Sequence, residues 1–246
     1  ENIDENVGRL MACLKKWSLD ENTLVVFMSD NGFTKVASTK DEIGRRDDKA
    51  MFAYQAGLKG FKKTPYEGGT RVPAFFRWKG VLKEGVTSNA LTAHIDVLPT
   101  LVDLAGGTVE TQVDGRSLVK LLENTSFQWA DRNLFFHIGR WAPAVGAEGS
   151  KYDKKNGFSV RNARYRLVNH EEVYDIANDP GELKNIASKK PEIVQSMQMS
   201  YDKWWDDVRP YMVNEGRPKM DPNPYHLNYE EQLKSEGIPS WKKPQL

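Results

Sequence analysis

A chain of 246 residues accommodates one large domain or two small ones, and its 39% hydrophobic content is enough for a buried core. The formal net charge of +1 gives no overall attraction to nucleic acid or to an acidic membrane surface, and no apolar stretch approaches the length of a membrane span. A single cysteine, Cys13, excludes an intramolecular disulfide and so says nothing about redox compartment.

Val7, Leu10, Met11, Leu14 and Trp17 recur at helical spacing and predict an amphipathic opening helix, in which Cys13 is a small residue in or beside the packed face. Residues Ser18 to Asn22 lead into Thr23-Leu24-Val25-Val26-Phe27-Met28, a continuous apolar run stopped by Asn31-Gly32. That pattern predicts a buried parallel strand ending in a tight turn. Open α/β sheets place ligands at such carboxyl ends, and the adjacent carboxylate and amide oxygens of Asp30 and Asn31 are hard donors suited to Ca²⁺ or Mg²⁺, although Asp-Asn-Gly is also ordinary turn chemistry.

Residues 33–58 carry mixed charge with few apolar anchors and are expected to form an exposed loop. The segment Gly60 to Pro73 follows, with Lys62, Lys63 and Arg71 around the glycine pair Gly68-Gly69, and it runs into an apolar strand ending at Trp78. Paired glycines allow close backbone approach, and the cations suit an oxyanion. A helix is expected from about Asp96 to Ala105, capped by Asp96, tolerating Pro99 in its first turn and closed by Gly106-Gly107. His94 and Asp96 are therefore read as mainly structural. Beyond Leu118, four β-prone segments (133–138, 158–161, 165–169 and 172–176) with tight polar connections predict antiparallel hairpins. A helix from Pro191 to about Asp207 should pack on them, burying Trp204-Trp205, whose alternative role is a sugar platform. The last thirty or so residues, with five prolines between Pro218 and Pro244, show no sustained period and are expected to form an extended tail. The expected units are 1–118, 119–212 and 213–246.

Three ordered motifs, Ser29-Asp30-Asn31-Gly32, the stretch Lys62 to Pro73 containing Tyr66-Glu67-Gly68-Gly69-Thr70-Arg71-Val72-Pro73, and His94-Ile95-Asp96-Val97-Leu98-Pro99-Thr100, together resemble the sulfatase family. Glu172 to Ile176 and Asp179-Pro180-Gly181-Glu182 are similar to that family's closing element. The resemblance implies the carboxyl-terminal part of a large α/β alkaline-phosphatase-like mixed sheet with flanking helices, followed by a small α+β subdomain with an antiparallel sheet. It implies that Asp30 and Asn31 bind Ca²⁺, with Mg²⁺ as the alternative. Lys62 contacts the sulfate and assists the leaving group, with Lys63 the competing register. Glu67, Gly68, Gly69 and Arg71 form the structural framework of the loop, Glu67 and Arg71 as an ion pair. His94, His137 and Arg140 are further candidates for substrate contact.

Sulfatases make a formylglycine nucleophile from C-x-P-x-R or S-x-P-x-R, and neither pattern occurs among the 246 residues. Neither do the paired aspartates and the upstream Lys and His that the family uses. The expectation is a C-terminal half of a sulfatase carrying part of the active site, with the formylglycine in the missing half and self-association of the half alone. By family analogy the compartment is periplasmic, extracellular or lysosomal, and the substrate is a sulfated small molecule or glycan. The alternatives are part of a related metal-dependent phosphodiesterase or phosphonate hydrolase, and a noncatalytic glycan-binding module.

Overall fold

A computed structural model describes residues 2–34, 56–137, 154–212, 224–235 and 237. The opening helix α1 (Asn2–Lys16) has acidic Asp4 and Glu5 in its first turn and basic Lys15 and Lys16 in its last, complementing the helix dipole at both ends. It leads to strand β1 (Val25–Met28), which pairs antiparallel with β2 (Ala74–Arg77), Val26 opposite Phe76 and Phe27 opposite Phe75. The expected buried parallel strand is therefore corrected. Among the described residues β1's strand partner is antiparallel and none of its four residues is fully buried. An apolar run shows that both faces of a strand are greasy, but it carries no information about the direction of the neighbour.

Ile3, Val7 and Met11 of α1 face Val25, Phe27 and Phe75 across an open groove of about 600 Å³. Phe27 and Phe75, ring centroids 6.2 Å apart, keep 39% and 63% of their surface exposed.

A short 3-10 turn (His94–Asp96) leads into α3 (Val97–Leu104), after the four-residue α2 (Glu67–Thr70). Asp96 is fully buried, but it does not cap α3 with its side chain as expected. Its carboxylate reaches backwards and sideways instead: Oδ2 accepts from the Ala93 amide at 2.8 Å, and Oδ1 accepts from the Arg116 amide and from Arg132 Nη1, both at 2.8 Å. A second, short contact to Oδ2 makes the Arg132 pairing bidentate. A buried carboxylate needs that many donors, and the sequence-local cap would have supplied too few. The Asp96 carbonyl accepts from Thr100 Oγ1, which in turn accepts from the Leu118 amide, tying α3 to α4 (Val119–Glu123).

The carboxyl-terminal sheet is a four-stranded antiparallel meander in the order β3 (Leu134–His137), β4 (Phe158–Arg161), β5 (Tyr165–Val168), β6 (Glu172–Asp175). Asn169 and His170 both take positive φ, 49° and 66°, and the Glu171 amide returns to the Val168 carbonyl. These are the features of a two-residue turn matched to strand twist, which Asn tolerates well.

Strand alternation gives the sheet two inner faces. Phe158, Val160, Leu167 and Val173 pack on Met197, Tyr201 and Trp205 of the long helix α5 (Pro191–Met212). Phe158 stacks on Tyr201 at 3.7 Å and Phe135 on Trp204 at 5.1 Å, so the tryptophan pair belongs to the core. On the opposite face the buried residues Ser159, Arg161, Arg166, Val168 and Tyr174 meet the loop 59–70.

A helix, α6 (Pro224–Ser235), replaces part of the expected extended tail. Pro224 occupies its first position, where a missing amide proton costs nothing, and Glu230-Glu231-Gln232-Leu233-Lys234 are good helix formers.

Candidate active site

The turn after β1 and the loop before β2 are stitched together by backbone hydrogen bonds. The Gly32 amide donates to the Gly69 carbonyl at 3.2 Å, the Lys62 amide to the Phe33 carbonyl at 2.8 Å, and the Gly68 amide to the Lys59 carbonyl at 2.7 Å. Such close approach requires glycine: a Cβ on Gly32 would lie 2.0 Å from the Gly68 carbonyl oxygen, and one on Gly69 would lie 2.2 Å from the Thr64 carbonyl oxygen. Gly32→Ala is therefore expected to separate the two segments and lower Tm by several degrees. An unchanged Tm would show that the turn relaxes without loss.

This stitching places Asp30-Asn31 and Lys62 on neighbouring backbone. Asp30 is exposed, and its Oδ2 accepts from Asn31 Nδ2 at 2.6 Å. Ser29 Oγ donates to the Asn31 carbonyl at 2.8 Å, and His94 Nε2 lies 2.8 Å from the Ser29 carbonyl oxygen. His94 thus holds the turn immediately before Asp30, a contact in keeping with its structural reading. The carboxylate and amide oxygens of Asp30 and Asn31 are chemically fit for a hard divalent cation. No group of three or more His, Cys, Asp or Glu suited to a metal occurs among the described residues. Lys62 is half-buried, whereas Lys63 is exposed and held at φ 75°.

The other expected residues are placed elsewhere. His137 ends β3 opposite Phe158, its ring centroid 4.9 Å from that of Trp205 on the α5 face. Arg140 and most of the expected charged loop lie outside the described residues. Cys13 sits half-buried on α1, followed by Leu14 and Lys15 rather than the formylglycine pattern, and does not fit that group.

Glu67 is the anchor of the loop, though not chiefly through Arg71. The Arg71 pair is long, 3.5 Å, and that side chain is 58% exposed, which makes it weak. Glu67 Oε1 instead accepts from Arg166 Nη2 at 2.6 Å and Arg161 Nε at 2.9 Å, both buried on the sheet. Arg166 also donates to the Pro65 carbonyl, Ser159 Oγ and Thr70 Oγ1. Burial works to raise the Glu67 pKa, but the two guanidinium groups outweigh it and hold the carboxyl below its ordinary range.

Glu182 completes the network, with Oε2 accepting the Glu67 amide at 2.9 Å and Oε1 lying 3.4 Å from Arg166 Nε. Burial pushes its pKa up to about 7, against the opposing pull of Arg166 and the Glu67 amide. A carboxyl raised in the folded state binds its proton there at pH values where the unfolded chain has released it. Stability should therefore decline as pH rises from about 4.5 to about 7. Glu67, whose pKa is lowered, contributes the opposite slope only at more acid pH. Thermal melts of the wild type and Glu182→Gln across pH 5 to 8 should show the decline in the first and a flatter profile in the second. Equal slopes would remove Glu182 as the cause.

A second cluster lies beside it. Glu172 Oε1 accepts from Tyr66 OH at 2.9 Å and Oε2 from Lys59 Nζ at 3.1 Å, with a short contact from Tyr174 OH. Lys59 Nζ also donates to Tyr174 OH at 2.7 Å and lies 4.1 Å from the Tyr66 ring centroid. Burial and the Glu172 carboxylate push the Tyr66 hydroxyl up to about 12. The sequence signal for the sheet partners of Glu67 is an arginine inside each of two largely buried strands, Phe158-Ser159-Val160-Arg161 and Tyr165-Arg166-Leu167-Val168.

The architecture matches part of the alkaline-phosphatase-like α/β fold, here with a motif loop docked on a carboxyl-terminal meander. Residues 1–107 match the family model Sulfatase, and residues 59–205 match the model N-sulphoglucosamine sulphohydrolase, C-terminal; the chain belongs to the sulfatase family. It is 29% identical over 219 residues to N-acetylglucosamine-6-O-sulfatase of Bacteroides thetaiotaomicron, covering 83% of this chain and 35% of that protein. It is 30% identical over 221 residues to human arylsulfatase A, covering 80% of this chain and 40% of that one. It also superimposes, with a TM-score of 0.58 and 26% identity over 83% of this chain and 39% of the other, on a protein solved with its substrate D-glucosamine-2-N,6-O-disulfate. The chain thus spans well under half the length of these relatives.

Proposed function

We propose that this chain supplies the carboxyl-terminal part of the active site of a sulfuric ester hydrolase acting on a sulfated carbohydrate. The observation that carries this reading is the backbone stitching that presents Asp30-Asn31 and Lys62 together in a sulfatase chain. Asp30 and Asn31 would hold a divalent cation, Ca²⁺ by family analogy, which supplies positive charge for the sulfuryl oxygens. Lys62 holds the sulfate by charge and stabilises the leaving oxygen as negative charge grows on it. Glu67, Gly68 and Gly69 keep Lys62 in place, and His94 orients the turn that carries Asp30. The attacking nucleophile, a formylglycine by family analogy, comes from a segment outside these 246 residues. The carbohydrate class is supported by the disulfated glucosamine bound to a structural neighbour.

The test is a parallel assay of the complete enzyme on sulfate and phosphate monoesters of one sugar. Sulfate turnover should dominate, and Asp30→Ala should lose most of it, with part restored by excess Ca²⁺. Preference for the phosphate ester would overturn the reading.

A further inference from the structure

The turn that presents Lys62 is a small closed unit. The Thr64 amide donates to the Phe61 carbonyl at 2.9 Å, and the Thr64 hydroxyl bonds the Phe61 amide and carbonyl, so residues 61–64 move together. Two residues flank this unit, Lys59 three positions before Lys62 and Tyr66 four positions after it. Both reach the same carboxylate, on strand β6 more than a hundred residues away: Lys59 Nζ at 3.1 Å and Tyr66 OH at 2.9 Å from the two oxygens of Glu172. Tyr174 OH, from the same strand, donates to that carboxylate and accepts from Lys59.

We infer that Glu172 is a positioning residue for Lys62, a single carboxylate that fixes both flanks of the turn carrying it. The role rests on the reading of Lys62 as the sulfate-contacting lysine. Two-point attachment removes the rocking freedom that one contact would leave, and misplacement of a catalytic cation by about 1 Å is enough to cost about 10²-fold in rate. Charge assists the grip. Burial opposes ionisation of Glu172, but its hydrogen bonds from Tyr174, Lys59 and Tyr66 outweigh that and lower its pKa. The side chains of Lys59 and Glu172 are 37% and 27% exposed, which weakens the pair relative to the fully buried Glu67 network. The cluster therefore suits adjustment of the loop better than support of the whole fold. The second point of contact is Tyr66 itself, the residue that leads directly into Glu67-Gly68-Gly69, so the carboxylate also orients the entry to the glycine pair.

Hydrogen exchange on this chain, wild type beside Glu172→Gln and Glu172→Ala, tests the inference without any requirement for turnover. In Glu172→Ala the amides of Lys62, Gly68 and Gly32, which donate to Phe33, Lys59 and Gly69, should exchange about tenfold faster or more. Glu172→Gln, which keeps an acceptor but loses the charge, should fall between, and it alone gives the reading if the alanine variant does not fold. Amides within β4 and β5 should be unchanged in either variant. Unchanged loop amides, or a uniform acceleration that includes β4 and β5, would overturn the positioning role. In the complete enzyme, Glu172→Gln should lower kcat with little change in KM, and a change in KM alone would also count against it. Loop-restricted acceleration combined with no sulfate-ester hydrolysis by the complete wild-type enzyme would sink the proposed function and with it the catalytic meaning of the positioning, leaving only Glu172 as the anchor of the turn that carries Lys62.

Discussion

Lys62→Ala is expected to reduce sulfate-ester turnover of the complete enzyme by about 10²-fold or more, while Lys63→Ala leaves it nearly unchanged. A cation fixed beside a developing anion contributes far more than a solvated one, because its field requires no reorganisation when charge appears. The two lysines differ in how they are held. Lys62 is half-buried and its amide is bonded to the Phe33 carbonyl, two residues beyond Asn31, whereas Lys63 is exposed and sits at positive φ. Steady-state kinetics of both variants decides the matter. If Lys63→Ala proves the more damaging, the register is off by one and the loop must be counted again from Glu67 backwards.

Glu67→Ala is expected to destabilise the chain by about 3–5 kcal/mol, because it removes the carboxylate shared by buried Arg161 and Arg166 and leaves Arg166 only the longer Glu182 contact at 3.4 Å. The loss should appear in urea unfolding as a lower midpoint with little change in slope. The carboxylate and Arg166 act as one unit, so Glu67→Ala combined with Arg166→Met should cost less than the sum of the two single changes, by about 1–3 kcal/mol. The same substitution should abolish turnover in the complete enzyme, since the loop that carries Lys62 would leave the sheet. A loss below about 1 kcal/mol would show that the loop is not held by this network.

The carboxyl-terminal meander was legible almost to the residue. Phe158–Arg161 matches, 165–169 and 172–176 are each long by one, and 133–138 starts one residue before Leu134–His137 with its end outside the described residues; alternation and Asn-His turn chemistry are local signals. The opening helix was equally plain, but its apolar stripe ends in an open groove with none of its residues fully buried, since periodicity says what a face prefers and not what covers it. β1 was found and its pairing direction was not. Asp96 is structural through bonds other than the expected cap, because its partners Arg116 and Arg132 come from 20 and 36 residues away. In the tail, the prolines suggest an extended chain, but Pro224 starts a helix.

The candidate site was legible in its motif residues and illegible in its support. Nothing near Glu67 in the sequence points to arginines 94 and 99 residues distant, nor anything near Lys59 to a glutamate 113 residues away. Such pairings are fixed by how the sheet face meets the loop, and only the finished packing reveals them.

The meander also has a kinetic consequence. Strands β4 to β6 occupy residues 158–175 without interruption and α5 follows soon after, so this unit forms through short loop closures. The β1–β2 ribbon has its strand pair separated by residues 29–73, and the loop 59–70 finds its sheet partners only across about a hundred positions. The carboxyl-terminal unit is therefore expected to be structured in the folding transition state, with the lysine-bearing loop docking afterwards. In stopped-flow measurements, Val160→Ala should chiefly slow folding and Glu67→Gln should chiefly speed unfolding. The residues of the candidate site would then be the last part of the chain to take their places and the first to leave them.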